Sequence, residues 1–259
     1  MLSQHPDIFF PAAPQEIHFF DVDENFRKGF DWYAGLFREW KGQRVVAQTS
    51  PLYFFEPAVP SRIHDALPNA RFIVILRNPV DRACSHYWHE VKHGMETLSF
   101  EEALSREPER IRQGFEGRRH YSYFSRGQYA TQFARYLEYF PRERFLALRF
   151  EDLAQNVDKI LRHCAEFLGV PLEGFTEARR MHSVRNTARM PRSRLAQGIG
   201  RKLGTKIPWL GSAIARFNLK PTKYPAMIPE TRRRLGQRFE DEIRETARVT
   251  GLDLTAWRD

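Results

Sequence analysis

The chain is poor in cysteine: Cys84 and Cys164 are the only two in 259 residues, and no CxxC pair occurs. That count excludes a disulfide framework and a cysteine-rich zinc module, and it favours a reduced compartment. No Asn-x-Ser/Thr acceptor is present, which disfavours passage through a secretory pathway. No apolar run approaches the ~20 residues that span a bilayer. The opening Met1-Leu2-Ser3-Gln4-His5-Pro6 has neither the basic nor the apolar stretch of a signal peptide, so a cytoplasmic location is expected. The GxxxxGK[ST] phosphate loop is absent too. What the chain has in excess is positive charge, 41 Lys and Arg against 32 Asp and Glu for a net +9. Anionic partners follow: a nucleotide, an acidic glycan or a membrane surface. Nucleic acid is not expected, because no recognised module for it appears and the cations crowd one late segment. The length suits one α/β domain over residues 1–259.

The stretch Arg71 to His89 organises the rest. Phe72–Leu76 is an unbroken apolar run rich in β-branched residues, which predicts a central parallel strand buried on both faces. Arg77 follows at the strand's carboxyl end, where open α/β sheets place ligands. Asn78 is a good N-cap, Pro79 suits the first helical position, and Asp81 falls in the first turn. Ser85 lies further into that helix. A guanidinium, a hydroxyl and free N–H groups at a helix start together make a phosphate site. The plainer alternative is an Arg that pairs with a nearby carboxylate.

Elsewhere the spacing predicts a helix over 29–40 with Tyr33, Leu36, Phe37 and Trp40 on one face, and short strands at 45–48 and 144–150. Ser99 and Glu102 form a capping box. Residues 106–122, charged and glycine-dotted, read as a mobile surface insertion. A helix capped by Asn156 ends at Gly169, and a last one covers 229–249. His86, His89 and His93 share one helix face, a pattern compatible with metal binding. Residues 179–223 are strongly basic and read as a helical or loop cover segment suited to an acidic acceptor or peripheral membrane contact.

The segment Arg77-Asn78-Pro79-Val80-Asp81-Arg82-Ala83-Cys84-Ser85-His86-Tyr87 resembles the 3′-phosphate-binding segment of sulfotransferases that use PAPS (3′-phosphoadenylyl sulfate). It is most similar to the branch of heparan sulfate sulfotransferases and their bacterial relatives. The resemblance runs from about Leu2 to Trp257. It implies a P-loop-NTPase-like parallel sheet flanked by helices, with PAPS as co-substrate, no metal, and a glycan, glycolipid or other hydroxylated acceptor. It implies that Arg77 and Ser85 grip the 3′-phosphate. Gln15-Glu16-Ile17-His18-Phe19-Phe20 resembles the family's KEPHFF stretch, so Glu16 matches the general base that acts on the acceptor hydroxyl or amine; read without the family, it is a solvated loop acid. Gln15 replaces the usual Lys. Thr49-Ser50-Pro51-Leu52-Tyr53 resembles EKTPSY, with Thr49 at the place of another Lys. Arg126-Gly127-Gln128-Tyr129 resembles the G-x-Y entry, which implies Tyr129 beside the nucleotide. Val184-Arg185-Asn186 resembles a late loop over the donor, which implies Arg185 and Asn186 as donor contacts.

Family members begin with a strand and a KxGTT loop that holds the 5′-phosphosulfate through backbone N–H groups. No KxGTT occurs here, so the first strand and phosphate loop are expected to be missing. Two readings stand at this point: a sulfotransferase acting on a carbohydrate-type acceptor, or a non-catalytic nucleotide- or glycan-binding module.

Overall fold

The computed structural model describes residues 1–12, 16–176 and 224–258, together with 189–191, 193, 196, 198–199, 201 and 218–221. Arg185, Asn186 and most of the basic 179–223 segment lie outside the described residues. In chain order the main elements are β1 (Ile8–Phe9), α1 (Asp23–Phe26), α2 (Phe30–Gly35), β2 (Val45–Val46), α3 (Val59–Ala66), β3 (Phe72–Leu76), α4 (Pro79–His93), α5 (Phe100–Ile111) and α6 (Phe115–Tyr121). They continue with α7 (Tyr129–Leu137), β4 (Phe145–Arg149), α8 (Phe150–Gln155), α9 (Val157–Leu168), β5 (Arg189–Pro191), β6 (Leu219–Pro221) and α10 (Pro229–Thr250). The chain divides into two compact units. The first comprises Met1–Arg77, Tyr129–Ser183 and Glu245–Asp253; the second comprises Asn78–Gln128, Val184–Arg244 and Leu254–Asp259.

In the first unit the strands pair in parallel, as expected, but in two sheets: β1 with β2, and β3 with β4. Phe72 lies opposite Phe145 and Leu76 opposite Arg149. Aromatic residues fill the space beneath β3 and β4. Phe72 stacks on Phe145 at 4.9 Å between ring centroids, and Tyr136 and Phe140 meet Phe72 edge-on. The apolar stripe of α9 does what its spacing predicts. Leu161 and Ala165 pack with Ile8, Val170 and Phe175, while Ile160 and Cys164 pack with Leu148. Asn156 accepts from the Lys159 N–H, and Gly169 closes the helix in the left-handed region at φ 71°.

Three expectations are corrected. β3 is not buried on both faces: only Leu76 is buried, and Ile75 is 51% exposed. The physical reason is the alternation of side chains along a strand: Leu76 points to one face of the sheet and is buried, while Ile75 points to the other, which is left open at its position among the described residues. The helix expected over 29–40 stops at Gly35, and Trp40, placed on its inner face, is 50% exposed with its indole N–H donating to the Gln43 carbonyl. Residues 106–122 are no mobile insertion. In the second unit the buried Glu107 carboxylate accepts from the Phe124 and Ser125 N–H groups and the Ser125 hydroxyl. Arg110 pairs with buried Glu96, which also accepts from the Tyr123 hydroxyl. These charges are consumed inside the unit, and that fixes α5 and α6.

The second unit also holds α4, which starts at the Asn78 cap as read and is closed by Gly94 at φ 72°. Leu235, Phe239 and Ile243 of α10 point inward, and Phe239 stacks on Phe124 at 4.3 Å. Trp257 is buried, with its carbonyl accepting from the Asn78 amide. No helix among the described residues is long and apolar enough to cross a membrane.

Candidate functional site

The first unit assembles two groups of side chains. One is the loop from Glu16 to Asp21. Its sequence, two acids and one histidine around three apolar residues, buries Ile17, Phe19 and Phe20 and leaves Glu16 exposed. His18 stands between two carboxylates, with Nε2 3.2 Å from Glu16 and Nδ1 2.8 Å from Asp21. Both ring nitrogens of His18 thus face a carboxylate. Glu16 forms a parallel bridge with Thr49. The two segments that resemble the family's site are thereby brought side by side.

What holds this loop was not read from the sequence. The Tyr53 hydroxyl accepts from the Phe19 and Phe20 N–H groups at 3.0 and 3.3 Å and donates to the Ile17 carbonyl. Burial raises the Tyr53 phenol above its usual range, against those hydrogen bonds, and so keeps it a donor. Arg62 donates to the Phe20 carbonyl at 2.9 Å and pairs with Asp23, and the Asn25 amide donates to the His18 carbonyl. The signal was present in Tyr53, whose spacing from Pro51 set the register of that segment, and in the i, i+3 pair of His18 and Asp21.

The second group lies at the carboxyl ends of β3 and β4, where two arginines differ in state. Arg149 is held by Asp152 through two hydrogen bonds of 3.0 and 2.7 Å. Arg77 has no carboxylate partner among the described residues; its guanidinium lies 5.2 Å from the centre of the Phe150 ring. Phe150 is 46% exposed. An unneutralised cation beside an exposed aromatic face suits an anionic group attached to a planar base. Sequence reading placed Phe150 at the end of a strand and gave it no role. Tyr129 is buried and donates to the Arg77 carbonyl at 2.9 Å; it fixes the strand end on which Arg77 sits.

Ser85 belongs to the second unit, in the second turn of α4. It is half-buried and shows no hydrogen-bond partner among the described residues. The expected free N–H groups at this helix start are not free. The Asn78 side chain accepts from Val80 and Asp81 at 3.0 and 3.4 Å, and its carbonyl accepts from Arg82. A strong N-cap competes with any ligand for the same donors. Further along α4, His86 Nε2 lies 3.4 Å from Glu90, Glu90 lies 2.8 Å from His120 Nδ1, and His120 Nε2 lies 3.1 Å from Glu116. Burial pushes His86 down to about 3 despite the hydrogen bond to Glu90. Burial raises the Glu90 carboxyl, but hydrogen bonds from His120 and His86 outweigh it and hold it at about 2. The His89 and His93 rings lie against each other at 4.2 Å. Among the described residues no group of three or more His, Cys, Asp or Glu is arranged to hold a metal ion.

With this geometry in view, the comparisons with known proteins agree in direction. The family described as "Sulfotransferase domain" matches residues 1–200. The chain is 33% identical over 175 residues to "Heparan sulfate glucosamine 3-O-sulfotransferase 5" of Homo sapiens, covering 66% of this chain and 49% of that protein. It is 28% identical over 272 residues to "Bifunctional heparan sulfate N-deacetylase/N-sulfotransferase 2" of Bos taurus, covering 99% of this chain and 28% of that one. The crystal structure of a sulfotransferase from Alicyclobacillus acidocaldarius matches with a TM-score of 0.73 and 32% identity over 100% of this chain and 91% of its own. The chain spans about half the length, or less, of the curated relatives it matches.

Proposed function

The chain belongs to the sulfotransferase domain family, and from that premise we propose that it transfers a sulfuryl group from PAPS to a hydroxyl or amine of a carbohydrate acceptor. The observation that carries the reading is Arg77: a cation left without a carboxylate among the described residues at the carboxyl end of β3, beside an exposed aromatic ring. These residues fit the 3′-phosphate and base of an adenine nucleotide. Arg77 supplies a bidentate donor for the phosphate and Phe150 a stacking face. Ser85 is proposed as a further phosphate contact from its place in the family-like segment, and Arg185 and Asn186 as donor contacts on the same ground. Tyr129 acts by positioning, through the Arg77 carbonyl.

Bound donor supplies an activated sulfuryl group. Glu16 takes the proton from the acceptor oxygen or nitrogen as that atom bonds to sulfur and the sulfur–oxygen bond to the phosphate breaks. His18 and Asp21 hold the Glu16 carboxylate in place and share the proton it receives. Charge on the transferring group needs fixed cations or donors, and Gln15 and Thr49 supply no cation where the family carries Lys. The relatives' names point to a heparan-type glycan as acceptor. A reducing compartment such as the cytoplasm is proposed from the low cysteine count, with Cys84 and Cys164 in no disulfide. The basic 179–223 segment is proposed as the surface that meets an acidic acceptor or a membrane.

The test is transfer of radiolabelled sulfate from PAPS to a panel of oligosaccharides, with and without Glu16→Gln. Transfer that depends on Glu16 supports the reading. Tight binding of PAP, the desulfated product, with no transfer to any acceptor would favour a non-catalytic nucleotide-binding module.

A further inference from the structure

The corner between α1 and α2 presents aromatic surface against the loop that carries the proposed base. Phe30 is 42% and Trp32 37% exposed. Gly29 makes the corner at φ 84°, a backbone state open to glycine. Lys28 reaches over the Trp32 ring at 4.3 Å and donates to the Asn25 side chain at 2.7 Å. It has no carboxylate partner among the described residues. The same Asn25 amide donates to the His18 carbonyl at 2.9 Å, so the ammonium is two hydrogen bonds from the loop that carries Glu16. Trp32 packs on Phe19 at 6.1 Å, the residue after His18.

We propose that Lys28, Phe30 and Trp32 form a subsite for the acceptor sugar neighbouring the one that is sulfated, and that Lys28 selects a sugar carrying an anionic group there. Exposed rings match the apolar face of a pyranose, and a lysine pinned by an indole and an amide keeps donors free for a carboxylate or a sulfate. Charge complementarity points to Lys28 for a second reason: Gln15 and Thr49, where the family carries Lys, are neutral. The inference rests on the acceptor being a carbohydrate that meets Glu16.

The test measures binding by calorimetry, with PAP present, of three oligosaccharides: one with uronate and no sulfate, its N-sulfated counterpart, and a neutral chitin-derived one. Lys28→Met should weaken the anionic ligands about two- to fivefold, as loss of an exposed ion pair does, and leave the neutral one unchanged; Lys28→Arg should restore them. The ligand that loses more identifies whether carboxylate or sulfate is read. Trp32→Ala should weaken all three about three- to tenfold. Because Trp32 also packs on Phe19, Trp32→Phe is measured beside it, and exposed Lys28 tests the subsite without disturbing the fold. Wild-type affinity in both Lys28→Met and Trp32→Ala overturns the subsite while leaving Glu16-dependent transfer standing. Binding of none of the three by the wild-type chain overturns the subsite, and absence of transfer to any carbohydrate overturns the reading beneath it.

Discussion

Replacing Arg77 with alanine should weaken PAP binding by about 1.5–3 kcal/mol, the usual worth of a hydrogen bond to a charged group, or roughly ten- to 150-fold. The structure separates this effect from a loss of fold. The guanidinium makes no ion pair among the described residues and contacts the exposed Phe150 ring at 5.2 Å, a contact worth about 0.5–1 kcal/mol. For a chain of this size that corresponds to a shift in Tm of only a few degrees, on the order of 2–4 °C. The Tyr129 hydroxyl bonds the Arg77 backbone carbonyl, which alanine retains. Arg149 is the control: it sits on the neighbouring strand, but Asp152 already neutralises it. Arg149→Ala should therefore leave PAP affinity within about twofold, at the low end of what exposed charges contribute. Arg77→Lys keeps the charge but loses the fork, and should fall between wild type and alanine. Calorimetry at low and high salt measures all four proteins. Equal PAP affinity for wild type and Arg77→Ala would refute the reasoning, and so would equal losses at Arg77 and Arg149.

Glu16→Gln should reduce transfer by about 10²-fold or more, the usual scale of a general base; retention of activity there with loss in His18→Ala would exchange their roles. Tyr53→Phe removes the acceptor for two buried N–H groups, which should cost about 1–3 kcal/mol of stability and lower kcat through the displaced loop; an unchanged thermal melt sinks this account. Gly127→Ala would bring a Cβ to 2.8 Å from the Phe239 ring and 3.1 Å from Pro79, so denaturant unfolding should show a loss of about 1–3 kcal/mol. Stability should also fall on acidification. His86 is depressed from 6.5 to about 3 by burial, so below its usual value the unfolded chain takes up a proton that the fold does not. Glu90, held at about 2 against a usual 4.5, adds to the loss at lower pH by the same sign. Melts across this range should show a shallower slope for His86→Leu, by about one proton; an unchanged slope contradicts the assignment.

The sequence disclosed what short-range physics decides. The bounds of α4 follow from Asn78, Pro79 and Gly94, and the α9 stripe from its spacing and caps. It also disclosed parallel pairing, because Phe72–Leu76 and Phe145–Arg149 are apolar runs separated by helical sequence. What stayed hidden depended on partners far along the chain. Whether Ile75 is covered depends on what packs on its face of the sheet, and the strand's own composition is silent on that. Residues 106–122 looked like a solvated insertion because Glu107 and Arg110 were read singly. Their partners, at Phe124, Ser125 and Glu96, lie up to 18 positions away. For the site, Glu16 and Arg77 were legible as residue types in family-like segments. The geometry that distinguishes Arg77 from Arg149 is not a property of either residue, but of Asp152 three positions after one of them.

The net charge and the charge near the proposed base point in opposite directions, and the difference separates capture from chemistry. The chain carries +9, enough to draw an anionic donor and acceptor from solution, and that attraction is screened beyond about 8 Å at physiological salt. Around Glu16 the described groups are largely spoken for. Asp21 and Glu16 flank His18, Asp23 engages Arg62, and the positions of Gln15 and Thr49 are neutral. Arg62 is also bonded to this loop through the Phe20 carbonyl, and Lys28 is tied to it through Asn25 and is without a carboxylate partner among the described residues. On the proposed function, long-range charge governs encounter, whereas proton removal depends on a short, fixed set of contacts anchored by the Tyr53 phenol. Screening acts on the first and leaves the second nearly untouched, because contacts near 3 Å are far shorter than the screening length. Added salt should accordingly raise KM and spare kcat, the pattern of an enzyme whose basic surface collects substrates for a site of little net charge.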